Sequence, residues 1–335
     1  MRKSLILLVI LALLGGIAYY LFTKNKQEEA VLVAVDRGFT ISSMDDVRRI
    51  VIKHAKMPPS VFDKANGEWT LDYKYKVDPY IMAYIGQVLT GMELRNVPRK
   101  VATSPIIGSM KSNGIRVDVF TNTLEQTERT FFIGSDTQDG VGTYMLLDGD
   151  PQPYVMYLPG HNGGLRSRFE HRSEEYRDKY IYNIKPENIK SIKIQYPKNE
   201  ISSFLLKNDN GISIEPLDVN QPPLEKPFNE RFAKSYLKYF ESIGSEGFAN
   251  RLETKDSIMS KVPYAIVTIT TNENNEIQHS YYSYDDFQFR TNKARRPEDV
   301  HTIERFFVKG KDDLYFTQTS VIGKIFIGYR QFFSS

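Results

Sequence analysis

The chain has 335 residues, 41% hydrophobic and 25% charged, and its 44 Lys and Arg against 41 Asp and Glu leave a net charge of +3. This balance excludes an intrinsically disordered chain and gives no general electrostatic ground for binding nucleic acid. The absence of cysteine removes disulfides, thiolate catalysis, thiolate metal sites and lipid attachment at cysteine together, and it suits an oxidising compartment.

The first element is residues 5–22, LILLVILALLGGIAYYLF, which carry no charge. At about 1.5 Å per residue, a helix of this length spans roughly 27 Å, close to the hydrocarbon thickness of a bilayer. Arg2 and Lys3 precede it, so residues 1–22 are expected to form a single-pass transmembrane anchor with the body outside the cytoplasm. Gly16-Ile17-Ala18 also offers the small-x-small pattern of a cleaved signal peptide. The apolar run continues through Tyr19, Tyr20, Leu21 and Phe22, which suits a membrane interface and favours an uncleaved anchor.

After a stalk at 23–38, the body repeats one order of elements. Residues 47–52 (VRRIVI) alternate as a strand, and 60–71 form a hairpin about Ala65-Asn66-Gly67. Residues 80–94 carry apolar side chains at helical spacing, with Asp78 as N-cap and Pro79 at the first helical position. Strands follow at 114–120, 128–133, 142–147 and 153–158. The order returns as a strand at 189–194, a hairpin at 203–214, and a helix from Asn229 burying Phe232, Tyr236, Phe240 and Ile243. Strands at 264–270, 278–284, 313–317 and 322–327 complete it, with an insertion at 286–305. The offset is about 142 to 150 residues.

This pattern predicts an α+β fold: an N-terminal transmembrane helix followed by two similar modules, 39–160 and 187–335. Each would be a mostly antiparallel sheet with one long helix on one face, joined by an exposed connecting strap at 161–186. One continuous sheet carrying two helices is the alternative topology.

The strap is the least ordinary stretch. Gly160, Gly163 and Gly164 suggest a mobile loop, and Arg166, Arg168, Arg172 and Arg177 are candidates for holding an anionic group or a glycan. Glu170, Glu174, Glu175 and Asp178 interleave with them, which equally describes a solvated strap whose acids pair its bases. A second basic run, Lys293-Ala-Arg-Arg-Pro297, could touch lipid headgroups or a partner, though such a run is more often an exposed loop. His54, His161, His171, His279 and His301 form no i, i+4 metal-binding pair. Neither a G-x-x-x-x-G-K-[ST] loop nor a G-x-S-x-G elbow occurs, and Asp139-Gly-Val-Gly-Thr143 leads into a strand as a hairpin turn. Adjacent acids such as Asp285-Asp286 would point to opposite faces of a strand. The sequence therefore predicts no catalytic residue, metal or cofactor.

The chain resembles the bacterial membrane-anchored proteins grouped as domain of unknown function family 4340. The resemblance rests on the apolar N-terminus, Phe39 before the strand at 47–52, and Asn66-Gly67-Glu68-Trp69. It continues in Gly142-Thr-Tyr-Met145 with residues 154–159, and in Tyr176-Arg177-Asp178 before Ile189. It implies an inner-membrane, periplasmic protein and carries over no activity. It also implies an accessory role beside ABC transporter components of an envelope or gliding-type complex. The expectation is a non-catalytic scaffold that binds other envelope proteins and no nucleic acid, with anionic or glycan binding by the strap as the alternative.

Overall fold

Strand β1 (Arg49–His54) turns Ile50 and Ile52 into the core by simple alternation. It pairs with β2 (Ser60–Ala65), which returns through a two-residue turn to β3 (Glu68–Leu71). Asn66 and Gly67 in that turn have φ of 53° and 83°, the mirror-image geometry that matches the twist of a hairpin. These strands belong to the first of two compact units, Met1–Asp178 and Lys179–Ser335. The structure is a computed structural model and describes residues 13–20, 38–121, 128–222, 224–288 and 293–333.

Unit 1 continues with β4 (Tyr75–Lys76), helix α1 (Pro79–Gly91), β5 (Glu93–Asn96) and helix α2 (Lys100–Asn113). Then come β6 (Ile115–Phe120), β7 (Arg129–Asp136), β8 (Thr143–Leu147) and β9 (Tyr154–Tyr157). Among the described residues its strands form one antiparallel sheet in the order β4-β3-β2-β1-β6-β7-β8-β9-β5. Helix α1 starts where Asp78 Oδ1 accepts the N–H groups of Tyr80 at 2.9 Å and Ile81 at 3.4 Å. It lays Ile85, Val88 and Leu89 on Ile50, Phe62, Val117, Phe131 and Ile133. Phe131 and Ile133 face that core, so Gly134 faces away from it. A Cβ on Gly134 would lie 2.9 Å from Met110 Cε, and Met110 is buried outside the α1 core. Helix α2 therefore covers the reverse face of the sheet.

Unit 2 begins with β10 (Tyr180–Tyr182), which pairs with β14 (Ile243–Gly244) apart from the main sheet. Its sheet is built from β11 (Ile189–Gln195), β12 (Phe204–Asn208), β13 (Ile212–Pro216), β15 (Gly247–Phe248), β16 (Ala265–Thr271), β17 (Glu276–Ser283), β18 (Arg305–Lys309) and β19 (Leu314–Gln318). The order is β13-β12-β11-β16-β17-β18-β19-β15. With β4 set aside, this is the order of unit 1, strand for strand. Helix α3 (Glu230–Leu237), capped by Asn229 Oδ1 on Phe232 N–H at 2.9 Å, buries Ala233, Tyr236 and Leu237 in the main core. The short helix α4 (Lys255–Met259) places Ile258 with Phe307 and Leu314, while Phe306 and Val308 belong to the main core. Alternation along β18 thus puts α4 on the reverse face, as α2 is in unit 1.

These findings correct the expected α+β class. The molecule consists of large, mostly antiparallel sheets with several helices, and each sheet carries helices on both faces instead of one long helix on one face. The helix expected at 229–243 is eight residues long and passes through a 3-10 turn before Ile243 enters a strand. The strand expected at 322–327 is instead the helical turn Thr319–Ile322 followed by a 3-10 turn, and the presumed insertion at 286–305 ends on Arg305, the first residue of β18. The expected membrane span at 1–22 lies outside the described residues apart from 13–20, which are helical and exposed. No helix among the described residues is long and apolar enough to cross a membrane.

Candidate functional site

The glycine- and arginine-rich stretch is anchored by a short relay. Thr143 Oγ1 donates to Asp136 Oδ1 at 2.6 Å and accepts the N–H of Leu165 at 2.7 Å. Gly164 fits because a Cβ there would overlap the Asp136 carboxylate. Leu165, Phe169 and Tyr176 then enter the unit 1 core at 0% exposure, and Tyr176 Oη donates to Phe169 O at 2.7 Å. Further on, Arg177 bridges to Val77 beside β4. The segment expected to be an exposed strap is, up to Asp178, part of unit 1. Apolar side chains spaced by the chemistry of a loop, not by a helix or strand period, gave no signal for this burial.

The structure disperses the four candidate arginines. Arg166 forks onto Glu170 at 3.0 and 2.9 Å and donates to the carbonyls of Gly134 and Asn113, each at 3.0 Å. The hydrogen bond from Arg166 holds the Glu170 carboxyl below its ordinary range. Burial, reinforced by the Arg166 charge, lowers the pKa of nearby His54. Arg168 donates to Tyr84 O at 3.3 Å and to His161 Nδ1 at 3.2 Å, with its guanidinium 5.1 Å from the Tyr84 ring centre. The Arg172 N–H donates to Glu175 Oε2 at 2.7 Å, opening a 3-10 turn. Arg177 lies 3.6 Å over the ring of Tyr75. Arg166, Arg168 and Arg177 thus engage the protein's own carbonyls, carboxylate and rings.

Two clusters emerge only in the structure, and the first corrects the expectation that Asp285 and Asp286 point to opposite faces of a strand. Asp285 and Asp286 open a helical turn, α5 (Tyr284–Gln288), so both carboxylates reach one cation. Arg295 contacts Asp286 at 3.1 Å and Asp285 at 3.9 Å, Lys198 approaches Asp286 at 3.5 Å, and Lys261 donates to the Asp286 carbonyl. The other is His279, which is 6% exposed and packs against the rings of Tyr182 and Tyr315. Burial pushes its pKa down to about 4. Among the described residues no group of three His, Asp or Glu could hold a metal. A cleft of about 520 Å³ in unit 2 is lined by Ile303, Glu304, Arg305, Gln318, Thr319 and Lys324. Its Arg305 is engaged by Glu246 at 3.2 Å and by Glu304.

The sheet edges offer backbone groups instead of side chains. β4 and β15 are two residues long, and β5 is broken by a register shift between Leu94 and Asn96. Such short or irregular edges resist further pairing. β13 is different: its five residues pair with β12 in unbroken register. Pro216, opposite Phe204, has no N–H, and Leu217 N–H donates to Ser203 O at 3.1 Å. Alternation then makes Leu205–Glu215 and Lys207–Ser213 the bonded pairs and turns the N–H and C=O of Ile212 and Ile214 away from the sheet.

The family model described as a domain of unknown function (DUF4340) matches residues 69–262, from β3 to the residues just before β16. No curated protein and no solved structure matches the chain.

Proposed function

The chain belongs to the DUF4340 family, over residues 69–262, and we propose that it is a non-catalytic interaction protein of the cell envelope. Partners add a strand to the edge of β13. The observation that carries this reading is the regular, outward-facing backbone of Ile212 and Ile214 at the end of the unit 2 sheet. Alternating exposure of Ser213 and Glu215 supplies side chains that a pairing strand would read. Arg2 and Lys3 before the uncharged residues 5–22, and the lack of cysteine, support a body that works outside the cytoplasm. In this reading the protein is an accessory of an envelope complex.

The test is crosslinking with mass spectrometry in intact cells, comparing the native protein with Ile214→Pro. The Ile214 N–H does not serve the β12 ladder, so proline there blocks the edge while leaving the internal pairing. Expected is loss of a crosslinked partner from a protein that still folds, its melting temperature lowered only by the packing that Ile214 makes on the unit 2 core. Recovery of the protein alone under several crosslinkers, or partners indifferent to Ile214→Pro, counts against the reading.

A further inference from the structure

Helix α1 (PYIMAYIGQVLTG) contains no charged residue. Its inner face is in the core, yet its outer face is open: Tyr80 is 69% and Tyr84 52% exposed, with Ala83, Gln87 and Thr90 also exposed. A surface helix ordinarily turns charged side chains to water. Unit 2 supplies the comparison, because α3 occupies the same place in the same strand order. The outer face of α3 carries Glu230, Arg231, Lys234 and Lys238, with Lys234 paired to Glu230 at 2.6 Å. An equivalent helix in this protein is thus solvated in the ordinary way, and α1 is not. Exposed tyrosine, with arginine beside it and Lys and Glu excluded, is the composition of a protein interface.

We propose that the outer face of α1 is a self-association surface, and that its occupant is α1 of a second copy of this chain in a twofold, antiparallel pairing. A twofold contact must be complementary to itself, and the uncharged helix surface meets its own copy without repulsion, the neighbouring cation Arg168 being turned onto the Tyr84 ring and carbonyl. Ala83, the small residue between the two tyrosines, lets the helices approach at their crossing point. Tyr80 of one copy then lies beside Tyr84 and Gln87 of the other. The flanks agree with antiparallel pairing. Exposed Lys74 and Lys76 precede the helix, exposed Glu93 follows it, and Arg95 beyond is neutralised by Asp139 at 2.8 Å. Each basic N-terminal flank thereby meets the acidic flank and carbonyl end of its partner helix. This contact is independent of strand addition, since α1 lies over a sheet face of unit 1 and β13 is an edge of unit 2.

The chain has no cysteine, so a single Ala83→Cys in the full-length protein is a unique reporter. Intact cells are treated with a short, permeant bis-maleimide. Expected is a crosslinked species at twice the 38.7 kDa chain mass, containing only this protein by mass spectrometry. It is lost when Tyr80→Glu and Tyr84→Glu are added, and it is absent for Ser235→Cys on α3. A purely monomeric Ala83→Cys protein overturns the proposal, whether or not a monofunctional maleimide labels it. A crosslink to a different protein also overturns it, because the face then belongs to another partner. A dimer that survives the double glutamate variant places self-association elsewhere and overturns it too.

Discussion

Gly164 lies flush against Asp136, so that any Cβ at position 164 would occupy the space of the Asp136 carboxylate. This contact fixes where the chain turns from β9 back into the unit 1 core, because Asp136 also accepts the Thr143 hydroxyl that receives the Leu165 N–H. Gly164→Ala is expected to destabilise unit 1 by about 1–3 kcal/mol, the ordinary cost of overpacking. Asp136→Ala should relieve that clash, so the double variant should lose less than the sum of the singles. Urea unfolding of the four proteins measures the coupling. Strict additivity would mean that the two residues do not meet.

Arg166 is expected to be a structural residue. Its guanidinium serves Glu170 and the carbonyls of Gly134 and Asn113 together. Arg166→Ala should cost about 1–3 kcal/mol through the groups it leaves unsatisfied. Arg166→Lys should recover little, because an ammonium cannot reproduce the planar fork. Thermal melts of the three proteins decide this; a ligand-binding arginine would instead leave the melting temperature unchanged.

Asp286 is shared by Arg295 and Lys198, whose side chains are 10% and 16% exposed. Asp286→Ala removes the carboxylate nearest to both cations and leaves Arg295 with the more distant Asp285 at 3.9 Å, and the expected loss is about 3 kcal/mol. Arg295→Met together with Asp286→Ala should lose less than Asp286→Ala alone. Equal losses in denaturant titrations would show that the pair is not coupled.

His279 makes the stability of unit 2 depend on pH. Burial lowers its pKa from 6.5 to about 4, so between these values the unfolded chain binds the proton that the folded one refuses. Its contribution is complete above pH 6.5, falls as pH drops, and is lost below pH 4. The interval corresponds to roughly 3 kcal/mol. The Tyr182 hydroxyl that faces it is pushed up by burial and stays neutral throughout this window. His279→Phe should flatten the stability profile between pH 4 and 6.5; an unchanged slope would assign the dependence to other groups.

Much of the strand pattern was legible because it is local. The turns at Asn66-Gly67 and Asn210-Gly211 announce themselves through residues that accept positive φ, and Asp78 with Pro79 marks the start of α1 within four residues. Helix α2 was not legible, since Pro105 and Gly108 break its helical signature and Met110 is the one residue of α2 that is fully buried. Only the missing side chain of Gly134, on a strand twenty-four residues away, lets Met110 and its helix settle on the reverse face.

The candidate site divides in the same way. Sequence alone established which residues were available: four arginines among four acids in a glycine-rich stretch, without cysteine or a catalytic motif. Whether those arginines await a ligand or are consumed internally was decided by tertiary structure. Arg166 finds its carbonyls at Gly134 and Asn113, 32 and 53 positions away, and Arg168 finds Tyr84 at 84. Short-range periodicity reports which way a side chain turns relative to its neighbours. Pairing across such separations depends on how the sheet closes, and no local pattern carries that information.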